Sequence, residues 1–153
     1  MTTALTNKRL GLAMRFVVEI DGLNLGQWAS CKGLAVKCKP FMLRERGNAF
    51  YDEVLPGEIS FTPITLERAM DATSSKTVQE WLRSTFENWL DNTSAEPYRG
   101  GTARITLLDG AGQTVMTWSL IGVYPTAWTG PTLSAKDNNV AIETLELTHE
   151  GFF

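Results

Sequence analysis

Met14, Phe16, Val18 and Ile20 alternate with Arg15, Val17 and Glu19, the period of two that a half-buried strand imposes because successive side chains point to opposite faces. Asp21-Gly22 predicts a turn after it, followed by a strand over Gln27 to Lys32 and another near Leu34 to Leu43, with Gly33 as the break. The stretch Arg44 to Gly57, polar at Arg44-Glu45-Arg46-Gly47-Asn48 and closed by Leu55-Pro56-Gly57, reads as a loop. So long an irregular stretch in a small domain marks a working surface. Glu58 to Leu66 resumes as one strand, with Ile59 and Phe61 on one face and Glu58, Ser60 and Thr62 on the other; Pro63 signals a strand end or edge.

The period then changes. Val78, Trp81, Leu82, Phe86, Trp89 and Leu90 fall on one stripe at helical spacing, predicting a helix from Thr77 to Leu90 with Thr77 and Glu80 as a capping box. Pro97 and Gly100-Gly101 end the connection that follows. A hairpin comes next: Thr102 to Leu108, a turn at Asp109-Gly110-Ala111-Gly112, and Gln113 to Val123. Ala103, Ile105 and Leu107 oppose Thr102, Arg104 and Thr106 across the first strand. The segment from Trp118 reaches Pro125, Thr126 to Pro131 reads as a turn, and the last strand covers Val140 to His149, with Leu145 and Leu147 opposite Thr144, Glu146 and Thr148. Val140 and Ile142 fall on the other parity, which predicts a bulge. The fold class is mainly β (α+β), a small β-barrel or sandwich with one packed α-helix. Arg15, Glu19, Glu58, Ser60, Thr62, Thr102, Arg104, Thr106, Thr144, Glu146 and Thr148 would share one polar face, and a sheet wetted on one side needs an arrangement for its edges, such as pairing with a neighbouring subunit.

Composition narrows the function classes. A chain of 153 residues is the size of one domain, 1–153, and shows no internal repeat or linker. A formal net charge of -3, without clustered Lys or Arg, gives no footprint for nucleic acid. No run approaches the length of a membrane-spanning helix, and Met1 to Leu12 lacks the apolar core of a signal peptide. The expectation is folding in the cytoplasm of a producing cell, with Cys31 and Cys38 as free thiols and the Asn92-Thr93-Ser94 sequon unused.

Candidate chemistry is thin. His149 is the single histidine, so neither a Ser-His-acid arrangement nor a two-histidine zinc site has its parts. Asp52-Glu53 and Glu143 with Glu146 are the carboxylate pairs, and in a strand both would diverge to opposite faces. Gly110-Ala111-Gly112 lacks the lysine and helix of a phosphate loop. No catalytic, metal-binding or cofactor-binding residue is assigned and no cofactor is expected. Trp81 and Trp89 on the helix stripe and Trp118 on its strand read as core. Trp28 and Trp128, beside turn residues, read as either core or interface anchors.

Leu10 to Gly22, Gly26-Gln27-Trp28-Ala29-Ser30-Cys31-Lys32-Gly33-Leu34, Leu55-Pro56-Gly57, Ile64-Thr65-Leu66-Glu67-Arg68-Ala69 and the block from Trp118 to Gly151, with Tyr124-Pro125 and Trp128-Thr129-Gly130-Pro131, follow one another in order along nearly the whole chain. Together they resemble the inner tube proteins of contractile phage tails and extracellular contractile injection systems. The resemblance implies a structural protein without enzymatic activity. Its sheets would join into one continuous β-barrel in a hexameric ring, stacked head to tail inside a sheath and capped by a spike. Implied partners are further copies of itself, the sheath, spike or baseplate proteins and lumenal cargo, with no nucleic-acid specificity and no membrane insertion of the monomer. The shared polar face would line the lumen. Arg44, Glu45, Arg46, Asn48 and Tyr51, together with Trp28, Trp128 and Pro131, would serve ring stacking or subunit contact, joined by Thr2 to Leu12. Two alternatives stay open: a tube-initiator ring joining tube to spike or baseplate, and a small β-barrel ligand-binding module or enzyme.

Overall fold

The computed structural model describes residues 15–47, 50–91, 93, 95–136 and 139–153. The expectations placed on Thr2 to Met14, Asn48, Asn92 and Ser94 lie outside these. Strands β1 (Arg15–Ile20), β2 (Leu23–Trp28), β3 (Ser30–Lys32), β4 (Val36–Leu43), β5 (Glu53–Phe61) and β6 (Ile64–Ala69) precede helix α1 (Ala72–Leu90), and β7 (Gly101–Leu108), β8 (Thr114–Thr129) and β9 (Ile142–Thr148) follow it. Seven strands form one sheet in the order β2-β1-β7-β8-β9-β6-β3, while β4 and β5 form a separate two-stranded ribbon. The sheet curls until its edge strands β2 and β3 are separated in sequence only by Ala29, whose N–H donates to the Glu67 carbonyl at 3.0 Å. Its ladder nevertheless stays open, so the subunit alone does not complete the expected barrel.

The period-two alternation places Val18 and Ile20 of β1, Ile64 and Leu66 of β6, Ala103 and Ile105 of β7 and Leu145 and Leu147 of β9 inside, with 0% exposure. α1 lays Val78, Trp81 and Leu82 over that face. Each large side chain so buried contributes about 1.5–3 kcal/mol relative to leaving it in water. The end of the helix stripe departs from expectation. Trp89 is 40% and Leu90 76% exposed, and Trp89 packs on Tyr124 of β8, with ring centroids 4.7 Å apart, rather than entering the buried cluster.

The helix also begins earlier than Thr77. Asp71 caps it, its side chain accepting from the Ser74 N–H, while Thr77 lies inside and donates its hydroxyl to the Thr73 carbonyl at 3.1 Å. Hydrogen bonds from Ser74 hold the exposed Asp71 carboxyl below its ordinary range. The first turn has no apolar stripe to announce it. Its inward residue is Ser75, which donates to the Glu143 carboxylate.

Strand limits shift where proline or glycine had suggested turns. The expected strand Glu58 to Leu66 is divided at Thr62-Pro63, where the chain leaves the ribbon and enters the sheet. The expected loop to Gly57 ends at Glu53: Lys39 pairs with Glu58 and Phe41 with Leu55, so Pro56 and Gly57 oppose Pro40 in a bulge. A Cβ on Gly57 would lie 2.0 Å from the Lys39 carbonyl oxygen, which is why glycine is needed there. The expected turn after Pro125 is likewise absorbed, since Pro125 pairs with Leu147 and Ala127 with Glu146, leaving Thr126 as the extra residue of a bulge in the continuing β8. β2 starts at Leu23 rather than Gln27, immediately after the Asp21-Gly22 turn. β9 pairs with β6 from Ile142 onward in unbroken register, so the bulge expected there is replaced by an Ile142 that is 44% exposed on the outer face.

A buried polar network crosses the core. Arg68 of β6 sits opposite Glu143 of β9, and its Nε donates to Glu143 Oε1 at 2.6 Å, with 5% and 0% of the two side chains exposed. Glu143 Oε1 also accepts from Ser75 Oγ at 2.8 Å, and Oε2 from Trp128 Nε1 at 3.2 Å. Arg68 Nη1 donates to the carbonyls of Leu25 and, at 3.3 Å, Gln27, while its guanidinium carbon lies 4.0 Å from the Trp28 ring centroid.

Glu143→Gln would leave the Arg68 charge buried without its counter-ion and is expected to lower stability by about 3–5 kcal/mol. Glu146→Gln on the outer face should stay within about 0.5 kcal/mol of the parent. Urea unfolding midpoints check both, and equal losses would remove the network from its structural role. Gly33 has φ +100, and a Cβ there would lie 1.9 Å from the Pro63 carbonyl oxygen. Gly33→Ala is therefore expected to cost at least about 1–3 kcal/mol, read as a lower thermal midpoint.

Candidate assembly surfaces

On the outer face of the sheet the polar residues meet in register. Glu19 of β1 stands opposite Arg104 of β7, which stands opposite Ser119 of β8, and Thr106 lies between Val17 and Thr117 in the next row. Opposite charges directly across a strand pair are mutually stabilising, by roughly 0.2–1 kcal/mol. Farther along, Glu67 pairs with Thr144 and Thr65 with Glu146, while Thr148 pairs with Tyr124. Arg15, Glu19, Thr102, Arg104, Thr106, Thr144, Glu146 and Thr148 therefore lie on strands of one sheet. Glu58, Ser60 and Thr62 do not join them: Glu58 and Ser60 belong to the ribbon, and Thr62 lies in the connection from β5 to β6. The prolyl break at Pro63 separates the two surfaces, because proline cannot donate to a continuing ladder.

The ribbon carries the main exposed apolar surface. Cys38 pairs with Ile59, Met42 with Val54 and Phe41 with Leu55, and Phe41 is 60%, Val54 63% and Ile59 58% exposed. By strand alternation, Cys38, Met42, Val54 and Ile59 share one side, and Lys37, Lys39, Glu58 and Ser60 share the other together with Phe41 and Leu55. Two strands alone are marginally stable in water, so this surface calls for a covering partner. At the ribbon's tip Arg44 Nε donates to Asp52 Oδ1 at 2.6 Å, and Glu45, Arg46 and Tyr51 are exposed.

The two interface tryptophans separate. Trp28 is 1% exposed and completes the subunit core beneath Arg68, so it offers no surface to another chain. Trp128 is half-buried, packed against the core and donating to Glu143. Pro131 lines a shallow groove of about 410 Å³ with Gly130, Leu133, Val140 and Ile142, where none of the described lining residues is ionisable.

The residues considered for chemistry are committed to structure. His149 is 7% exposed and donates from Nε2 to the Thr62 carbonyl at 3.1 Å, with its ring against Phe61 and Phe152. Asp52 is paired with Arg44, and Glu143 belongs to the buried network while Glu146 lies on the opposite face. Asp109 Oδ1 accepts from the N–H groups of Ala111 and Gln113, making the glycine turn a hairpin tip. Among the described residues no group of three or more His, Cys, Asp or Glu could hold a metal ion.

The Arg68–Glu143 pair was missed as a feature of the sequence, although a signal existed. Arg68 falls on the apolar parity of Ile64 and Leu66, and Glu143 on that of Leu145 and Leu147. Two opposite charges on apolar parities can be buried only if they meet.

The fold has close counterparts. A chain of the sheath–tube complex of an extracellular contractile injection system (PVC) in its extended state is 19% identical, with a TM-score of 0.71 over 100% of this chain and 96% of the other. A chain of the sheath/tube terminator of the same system is 20% identical, with a TM-score of 0.68 over 96% of each. One from the 6-fold symmetrised baseplate of the anti-feeding prophage is 22% identical, with a TM-score of 0.64 over 92% of this chain and 90% of that one. These likenesses establish the fold. No curated protein matches the sequence. The T4-like virus tail tube protein gp19 family, by contrast, matches residues 12–153, and the chain belongs to that family.

Proposed function

We propose that the chain is the inner tube subunit of a contractile injection system or contractile phage tail, with six copies closing into a ring and rings stacking inside a sheath. The observation that carries this reading is the β4–β5 ribbon, whose apolar residues Phe41, Val54 and Ile59 the subunit leaves exposed. Such a ribbon is suited to reach a neighbouring copy, and family membership supplies the kind of assembly. The outer sheet face, polar along β1, β7 and β9, would then line a wet lumen through which cargo passes.

In this reading the whole chain acts as one structural tail-tube domain and catalyses nothing. It is made in the cytoplasm of a bacterium and becomes part of an assembled particle. Its partners are other copies of itself, the sheath and the spike or baseplate. The 6-fold symmetry named for the anti-feeding prophage baseplate supports the ring number. No helix among the described residues is long and apolar enough to cross a membrane, in keeping with a tube that is driven through an envelope mechanically.

Purified protein viewed by electron microscopy is expected to show rings or tubes with an open centre; a uniformly monomeric species would sink the reading. Replacing Arg44, Glu45 and Arg46 together by Ala at the ribbon tip should leave rings but shorten tubes. Tubes of parental length would exclude this tip from ring stacking.

A further inference from the structure

The β4–β5 ribbon meets the rest of the subunit through a narrow root. It shares no ladder with the seven-stranded sheet, and it joins that sheet through residues 33–35, between β3 and β4, and residues 62–63, between β5 and β6. The two connections are bonded to each other: the Thr62 N–H donates to the Ala35 carbonyl at 3.2 Å, and the Ala35 N–H to the Gly33 carbonyl at 2.7 Å. Pro63 has no N–H to extend that bonding. A two-stranded arm on such a root turns as a unit unless side chains fix its angle.

The side chains that fix it come from the segment after β9. The ring centroid of Phe61, the last residue of β5, lies 5.6 Å from that of His149 and 5.0 Å from that of Phe152. The same ring closes on Gly151, where a Cβ would lie 3.0 Å from Phe61 Cε2. This segment is itself anchored to β8, the Ile121 N–H donating to the Gly151 carbonyl at 2.9 Å and the Glu150 N–H to the Ile121 carbonyl at 2.8 Å. Between anchor and root stands His149, 7% exposed, with Nε2 3.1 Å from the Thr62 carbonyl oxygen. A carbonyl only accepts, so Nε2 carries the hydrogen and Nδ1 is the basic atom. Nδ1 is enclosed and has no hydrogen-bond partner among the described residues.

We propose that His149 is a proton-operated clamp on the ribbon: neutral, it ties the ribbon root to the sheet, and proton uptake at Nδ1 frees the arm to swing. With the root closed, a proton on Nδ1 is a buried charge and a second N–H without an acceptor; with the root open, water solvates both. Phenyl rings return only part of that lost hydration. The charged groups on the packed elements are engaged elsewhere. Glu150 lays its carboxylate against Gly122, Glu143 is held by Arg68, Glu67 accepts from Thr144, Glu146 stands opposite Thr65, and Glu58 stands opposite Lys39 across the ribbon. β8 carries no charged residue. No ion pair among the described residues includes His149. The open arm therefore binds the proton more tightly, and its population rises as pH falls. Imidazole is the side chain whose ordinary titration lies in the physiological range, and this chain has one. The clamp is a property of a single subunit and stands apart from the tube reading.

Electron-spin distance measurements on the full-length chain test the clamp, with one nitroxide on the native Cys38 of the ribbon and one on Gln79→Cys of α1. Labelled protein is diluted into unlabelled protein so that only pairs within one subunit are read. Both positions are exposed, and burial pushes the Cys31 thiol up to about 11, which keeps it from the label. The distance distribution should be narrow at about pH 7.5 and broad at about pH 5.5. The open-to-closed ratio should rise more than about tenfold, below the roughly hundredfold that one proton permits over that interval. His149→Gln, whose amide can donate to the Thr62 carbonyl without charging, should stay narrow at both, and His149→Ala should be broad at both. In the parent, the midpoint of the distance change should coincide with that of the ring-carbon NMR signal of the single histidine. A parental distribution unchanged by pH, equal broadening in His149→Gln, a narrow His149→Ala or midpoints that do not coincide would overturn the clamp. Should either variant fail to fold, the two parental midpoints decide alone.

Discussion

The structure depends on the guanidinium of Arg68. β2 and β6 lie where the two ends of the curled sheet approach, but they do not pair, and an unpaired carbonyl held away from water is costly. Arg68 reaches from β6 to the Leu25 and Gln27 carbonyls of β2 and meets Glu143 of β9 across the ladder. One side chain thereby substitutes for ladder bonds at the seam. Its charge is tolerable there because Glu143 is itself held by Ser75 and Trp128. The first turn of α1, the bulged half of β8 and the free side of β2 are thus joined to a single buried ion pair.

Closing the seam internally has a consequence for assembly. With β2 occupied by Arg68, the exposed apolar surface of the described residues lies mainly on the ribbon. The sheet then has a sealed apolar side and a wetted side on which Glu19, Arg104 and Ser119 meet in register. A tube wall needs this division: packing on one side and water on the other.

Much of this was legible in the chain. The alternations of Phe16 to Ile20, Ala103 to Leu107 and Thr144 to Thr148 placed their inner and outer faces correctly, because side-chain direction in a strand is a local consequence of backbone geometry. Val78, Trp81 and Leu82 marked the helix for the same reason. The errors cluster at proline and glycine. Pro56-Gly57 and the stretch from Thr126 read as turns, yet Pro56-Gly57 and Thr126 sit in bulges whose existence depends on a partner strand distant in sequence. Trp28 read equally as anchor or core, and only the position of Arg68 above its ring decided between them.

The sequence by itself determined the central parts of most strands and of the helix, the alternation of their faces and, through the order of its motifs, the family. These follow from short-range periodicity and local chemistry. Only the tertiary structure decided that Glu58 and Ser60 leave the sheet for a ribbon, that Arg68 and Glu143 meet, and that β8 pairs with β7 along one half and with β9 along the other. Each of these is a fact about pairing between segments far apart in the chain, and period two records which way a side chain points without recording which strand lies beside it.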